Sequence, residues 1–178
     1  MTAVIYGSKY GSTKRYAEWI AEELEADVFD VKGFSIDVIE KYDTVIFGGG
    51  LYAGGITGLD FIAKNIDRLK NSRLIIFTCG IADPADERNY NNIKTSVFKK
   101  LPAAREKDIP LFCLRGELDY GKMSLVHRAM MAALVKSVKG KKEKTDEDRC
   151  IIDTYGKRVS FMDRNSIAPI VEYAKQAI

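Results

Sequence analysis

Six residues near the N-terminus, Ser8-Lys9-Tyr10-Gly11-Ser12-Thr13, have the chemistry to hold an anion. They follow a short apolar run, Ala3-Val4-Ile5-Tyr6, that reads as a buried strand. They precede a pattern in which Tyr16, Ile20 and Leu24 recur every four residues with Ala17 beside them, which predicts a helix. N–H groups at a helix start lack intrahelical acceptors, and the helix dipole favours negative charge there. Ser8, Ser12 and Thr13 add hydroxyl donors, and Gly11 lets the backbone approach a ligand. Gly7 and Gly11 fit neither the Walker pattern nor the dinucleotide pattern Gly-x-Gly-x-x-Gly. An ordinary turn capped by Ser12 or Thr13 would show the same residues, so the loop alone does not decide.

Such a loop needs a sheet behind it. Thr44-Val45-Ile46-Phe47, Leu74-Ile75-Ile76-Phe77 and Leu111-Phe112-Cys113-Leu114 are near-continuous apolar runs. Runs of that kind mark strands buried on both faces. Val28-Phe29-Asp30-Val31 is more polar and suits an edge. Helical patterns lie between the runs at Ser35–Lys41, Leu59–Leu69 and Asn89–Leu101, the last with Tyr90, Ile93, Val97 and Leu101 on one face. A final pattern, Ser166–Ala177, carries Ile167, Ile170, Val171 and Ala174. The alternation predicts an α/β three-layer sandwich, a five-stranded parallel sheet of order 2-1-3-4-5 with helices on both faces, as one domain over 1–178. A segment of about 117–155 is expected as an insertion after the fifth strand. It contains a helical pattern over Met123–Val138, a basic stretch Lys139–Arg149 and a strand-like run, Cys150-Ile151-Ile152. Another short run, Arg158-Val159-Ser160-Phe161, follows.

Composition narrows the class. The chain has 178 residues, 46% hydrophobic and 30% charged, ordinary for a globular domain. No apolar run approaches the ~20 residues that cross a bilayer. Three cysteines without metal-ligand spacing suggest free thiols in a reducing cytoplasm, and with Met1 leading straight into the first strand no signal peptide is expected. His127 is the single histidine, which excludes a multi-histidine metal site. Net charge is +3, and Glu117–Arg158 carries ten Lys/Arg against seven Asp/Glu. So mild an imbalance does not call for a nucleic-acid partner.

Ligands of open parallel sheets bind beyond the C-terminal strand ends. Three more loops are expected there. One contains Gly49, Gly50, Leu51, Tyr52, Ala53 and Gly54, another Thr78, Cys79, Gly80 and Asp83, and the third runs Gly116–Gly121. Singly each is common turn chemistry. Together with the hydroxyl-rich loop they resemble the FMN site of the flavodoxin superfamily. More narrowly, the chain resembles the flavodoxin-domain branch that includes menaquinone-dependent protoporphyrinogen oxidase. That resemblance rests on Tyr6–Thr13 followed by Ile20–Leu24, on Gly48–Gly54 around Tyr52, and on the insertion with Phe112, Gly116, Leu118, Tyr120 and a Met-rich helix. It implies FMN, with its phosphate at Ser8, Lys9, Tyr10, Gly11, Ser12 and Thr13. Leu51 and Tyr52 would cover the ring, and the Thr78–Asp83 loop would meet its pyrimidine edge. The chain departs from the pattern in being mildly basic where flavodoxins are acidic, and in the acidic Asp146-Glu147-Asp148 of its insertion.

Two functions follow from the resemblance. The first is an FMN-dependent oxidoreductase of the protoporphyrinogen oxidase type, in which the flavin is the reagent and no residue is catalytic in its own right. Lys122, Arg128 and Lys136 would then meet substrate carboxylates, and Leu125, Met130, Met131 and Leu134 would face a tetrapyrrole or quinone. The second is an electron carrier between redox partners. A partner-binding domain without flavin is the remaining alternative. A small-molecule or protein redox partner is expected in either redox case, with a quinone or a second copy of the chain left open. Met123–Val138 runs into Lys136, Lys139, Lys141, Lys142 and Lys144. A basic amphipathic helix suits the inner face of an anionic membrane, although packing on its own core is the commoner fate. His127 is expected on a helix surface, and Cys79 as a structural thiol.

Overall fold

β1 (Thr2–Gly7) runs through the middle of the molecule, buried from Ala3 onward because each face carries apolar cover. The computed structural model describes residues 1–52 and 54–176, apart from the side chains of 146 and 147. α1 (Ser12–Leu24) follows, burying Thr13, Tyr16, Ala17, Ile20 and Ala21 on one stripe. β2 (Asp27–Asp30) is the polar edge strand. A 3₁₀ turn, Ile36–Lys41, capped by Ser35, leads to β3 (Thr44–Tyr52). The short β4 (Gly55–Ile56) folds back antiparallel on β3. α2 (Leu59–Lys64), β5 (Arg73–Gly80), α3 (Glu87–Lys100), α4 (Ala103–Glu106) and β6 (Leu111–Arg115) complete the alternation. The parallel strands stand in the order β2-β1-β3-β5-β6, the expected 2-1-3-4-5 when β4 is set aside.

Two cores flank this sheet. Ile5, Val45, Phe47 and Ile76 face α2 and α3, where Leu59, Ile62, Val97 and Leu101 close over them. Val4, Ile46, Ile75 and Phe77 face α1 and the last helix, meeting Tyr16, Ile20 and Ile170. Each large side chain buried this way stabilises the fold by ~1.5–3 kcal/mol. Strict alternation along β1 and β3 is what feeds both cores from one sheet.

Several expected boundaries move. Gly48, Gly49, Gly50, Leu51 and Tyr52 belong to β3 rather than to a loop, and Thr78, Cys79 and Gly80 belong to β5. The glycines stay in register, Gly48 opposite Tyr6 and Phe77 and Gly49 opposite Gly7 and Thr78. They are small because neighbours fill the space a side chain would need: a Cβ on Gly48 would lie 2.1 Å from Phe77 Cζ. The helix expected over Leu59–Leu69 breaks at Asn65 into α2 and a 3₁₀ turn.

The insertion opens with β7 (Glu117–Asp119), which pairs antiparallel with β8 (Arg158–Ser160). Between them lie α5 (Leu125–Lys139) and α6 (Asp146–Thr154). Cys150-Ile151-Ile152 is helical, not a strand. Thr145 and Asp148 form a reciprocal capping box, and such a box nucleates a helix through the β-branched pair. Lys141 hydrogen-bonds the Asp148 carboxylate at 2.8 Å and holds it below the usual carboxylate range. α7 (Ala168–Lys175), preceded by a 3₁₀ turn at Arg164–Ile167, closes the sheet. Ala177, expected to end that helix, lies outside the described residues.

Candidate functional site

The C-terminal ends of β1, β3, β5 and β6 open into a cleft of about 1000 Å³. That volume stands at the upper end of the ~300–1,000 Å³ usual for small-molecule sites. Of the residues singled out from the sequence, Ser8, Lys9, Tyr10, Ser12, Thr13, Gly50, Leu51, Tyr52, Gly54, Cys79, Gly80 and Asp83 line it. Gly11, Gly49 and Thr78 do not. Gly11 instead turns the chain into α1 at φ +100, a conformation glycine adopts without strain. Gly49 sits against Ile56 and Thr57. Thr78 is buried next to Cys79, and strand alternation turns its side chain to the opposite face of the sheet. Ala53 lies outside the described residues.

The first loop is built for an anion. No side chain caps α1, so the N–H groups of its first turn are left for a ligand. Ser8 Oγ accepts from Gly11 N–H at 3.0 Å and Ser12 Oγ accepts from Glu117 N–H at 3.0 Å. Both hydroxyls keep their own protons to donate. Gly50 and Gly80 keep the cleft floor open: a Cβ there would lie 2.9 Å from Thr13 Oγ1 or 2.6 Å from Leu51 Cδ1.

His127 is the residue the sequence placed wrongly. It is 9% exposed and lines the cleft from the first turn of α5. Lys9 Nζ lies 3.1 Å from its Nε2, and Tyr10 Oη is hydrogen-bonded to its Nδ1. Its ring lies 4.4 Å from that of Tyr52, over which Lys9 Nζ also sits, 4.0 Å from the centroid. Burial first and the Lys9 charge second push the imidazole below its ordinary value. An ammonium only donates, so Nε2 accepts and Nδ1 carries the ring proton. Nδ1–H then donates to Tyr10 Oη, which frees the phenolic proton for a group in the cleft. Lys9, His127 and Tyr10 thus form a directed chain of donors ending at a hydroxyl.

Arg115 was also missed. Its guanidinium donates to Ile81 O at 3.2 Å, pairs with Asp83 at 3.3 Å and lies over the Phe161 ring, holding the β5 loop at the cleft wall. Met130, Met131 and Leu134 of α5 line the cleft with Met123 just before that helix, joined by Cys150, Ile151 and Thr154 of α6. Leu125 points outward at 81% exposure, contrary to expectation, because it lies on the opposite edge of the helix from His127. Lys122, Arg128 and Lys136 do not line the cleft either. Arg128 donates to the Tyr120 and Gly121 carbonyls, which draws it away.

Burial pushes the Cys79 thiol up to about 12, partly offset by a hydrogen bond from Thr13. The thiolate is the nucleophile, so Cys79 should resist alkylation. In native, flavin-free protein at about pH 8, iodoacetamide is expected to label half-buried Cys150 and to leave Cys79 unlabelled until the chain unfolds. Peptide mapping by mass spectrometry checks this, and labelling of native Cys79 would show the thiol to be activated.

Residues 3–146 match the family model described as a flavodoxin domain. An uncharacterised protein of Methanocaldococcus jannaschii is 40% identical over 129 residues, covering 68% of this chain and 79% of that protein. A flavodoxin from the domain Archaea aligns over 99% of this chain and 100% of its own, with 16% identity and a TM-score of 0.46. The Trp repressor binding protein from Bacillus subtilis aligns over 81% of this chain and 100% of its own, with 18% identity and a TM-score of 0.49.

Proposed function

The chain belongs to the flavodoxin-domain family, and from that membership we propose an FMN-dependent oxidoreductase for a flat, apolar, anionic substrate of the protoporphyrinogen type, with a quinone as onward acceptor. The observation that carries this reading is the reach of the cleft beyond the anion loop, under α5 and α6. The residues present fit FMN. Ser8, Ser12, Thr13 and the free N–H groups of α1 would hold its phosphate. Leu51, Tyr52, Gly80 and Asp83 would hold the ring, where the two glycine positions leave no room for a Cβ. When bound, FMN supplies the electron-accepting chemistry.

The chain supplies everything else. Met123, Met130, Met131 and Leu134 give a deformable apolar wall for a second ligand and keep water from it. Lys9 and Arg115 are the cations lining the cleft, where the expected Lys122, Arg128 and Lys136 do not; Lys9 would meet a substrate carboxylate, since Arg115 is already held by Asp83 and the Ile81 carbonyl. Tyr10 Oη, accepting from His127, is the atom at which a proton can be given or taken.

The test is an anaerobic absorbance spectrum of the FMN-loaded protein before and after protoporphyrinogen is added. Loss of the flavin band with appearance of porphyrin is the expected result. A bound flavin that stays oxidised would overturn the oxidase reading and turn attention to electron carriage between proteins.

A further inference from the structure

Of the large apolar side chains exposed among the described residues, four lie on α5: Leu125 at 81%, Val126 at 67%, Met130 at 47% and Leu134 at 42%. At ~100° per residue these four, with Ala129 and Ala133, spread over about half of the helix circumference, from Leu125 at one limit to Leu134 at the other. The buried His127, Val135 and Val138 fill the neighbouring arc, which begins beside Leu134. Arg128 and Lys139 lie between the buried arc and Leu125, Lys136 lies just inside the apolar arc between Leu125 and Ala129, and no Asp or Glu occurs from Leu125 to Lys139. Among the described residues no carboxylate is paired with Lys136, Lys139 or Lys142.

We infer that α5 seats this protein on a bilayer bearing anionic headgroups, with its apolar face at the headgroup boundary and Lys136, Lys139 and Lys142 on lipid phosphates. Charge selects this occupant. A second copy of the chain would bring another uncompensated cationic row to the same contact, and α5 has no acid to answer it. An anionic lipid surface supplies negative charge and an apolar interior together. Met130 and Leu134 belong both to this face and to the cleft wall, so seating turns the apolar rim of the cleft toward lipid. A lipid-soluble redox partner then reaches the cleft without crossing water. Seating needs no flavin, so its failure is separable from that of the proposed function.

The experiment is co-sedimentation of the full chain with vesicles of phosphatidylcholine and phosphatidylglycerol in equal parts, and of phosphatidylcholine alone. Salt-sensitive binding to the mixed vesicles only is expected, with and without FMN. Lys136→Gln/Lys139→Gln should weaken that binding about 30-fold, from roughly fivefold per cation near the surface. Leu125→Gln/Val126→Gln should weaken it at least about tenfold through lost apolar burial. Neither pair lines the cleft. Absence of binding to the mixed vesicles overturns the inference. So does a solution dimer, seen by sedimentation velocity, that Leu125→Gln/Val126→Gln dissociates, since the face would then belong to a second copy.

Discussion

Ser8→Asp is expected to weaken FMN binding about a hundredfold and to leave riboflavin binding nearly unchanged. Ser8 Oγ accepts the Gly11 N–H at 3.0 Å, and an Asp carboxylate can take over that bond, so the turn into α1 survives. What changes is charge. A fixed anion enters a cradle of N–H and hydroxyl donors suited to a phosphate, and like charges brought together at a binding site cost several kcal/mol, of which about 3 is a hundredfold in affinity. Riboflavin has the ring without the phosphate, so it reports the rest of the cleft. Fluorescence quenching titrations of both ligands decide the matter. An equal loss for riboflavin would mean that the substitution had disturbed the loop, and an unchanged FMN affinity would remove the phosphate from it.

Gly7→Ala is expected to be the most damaging single methyl group in the molecule. Its Cβ would lie 2.3 Å from Thr57 O, 2.7 Å from Thr57 C and 3.0 Å from Gly58 N, all backbone atoms. The segment that would have to retreat is held: Thr57 N–H donates to Gly50 O at 2.9 Å, and Gly58 has φ +86 just before α2. Gly7 itself is fixed in the ladder opposite Gly49. Overpacking of this kind costs ~1–3 kcal/mol where side chains can yield, and the upper end or beyond is expected against backbone. For a chain of this size, about 3 kcal/mol lowers the melting temperature by roughly 6–12 °C. Gly33→Ala is the control, because a Cβ there meets nothing within 4 Å. Its melting temperature should stay within about 2 °C of the parent, a surface substitution costing ~0.5 kcal/mol or less. Equal melting temperatures for both variants would show that the Thr57 turn yields freely.

The sheet was legible because its runs are unambiguous. Val45-Ile46 and Leu74–Phe77 feed apolar side chains to both faces, and only a buried parallel strand reads that way. The anion loop was legible for a local reason, since Ser8, Gly11, Ser12 and Thr13 lie within one turn of a helix start. His127 was not legible. Its partners, Lys9 and Tyr10, are 118 and 117 residues away, and nothing in the spacing of α5 separates a cleft-facing position from an outward one. In α6, Thr145-x-x-Asp148 is a local capping signal, and it outweighs three β-prone residues, Cys150, Ile151 and Ile152. The glycine run misled for another reason: glycines in a strand read as a turn unless a tight neighbour such as the Phe77 ring is known.

The β7–β8 ladder has a consequence for how this molecule can change. Glu117 stands opposite Ser160, and Arg158 reaches back to Glu117 at 2.9 Å. The chain therefore leaves the sandwich and rejoins it at one gate. The excursion between, with α5 and α6, adds little to the entropy of loop closure whatever its length, because that cost grows only with the logarithm of the residue count. Ser12, which anchors the Glu117 N–H, lies on the sandwich side of the gate. The excursion is thus joined to the sandwich at the gate and pinned to it again by His127, so a different excursion at the same gate would rebuild the cleft wall and take the imidazole partner from Lys9 and Tyr10, while the sheet beneath stays as it is.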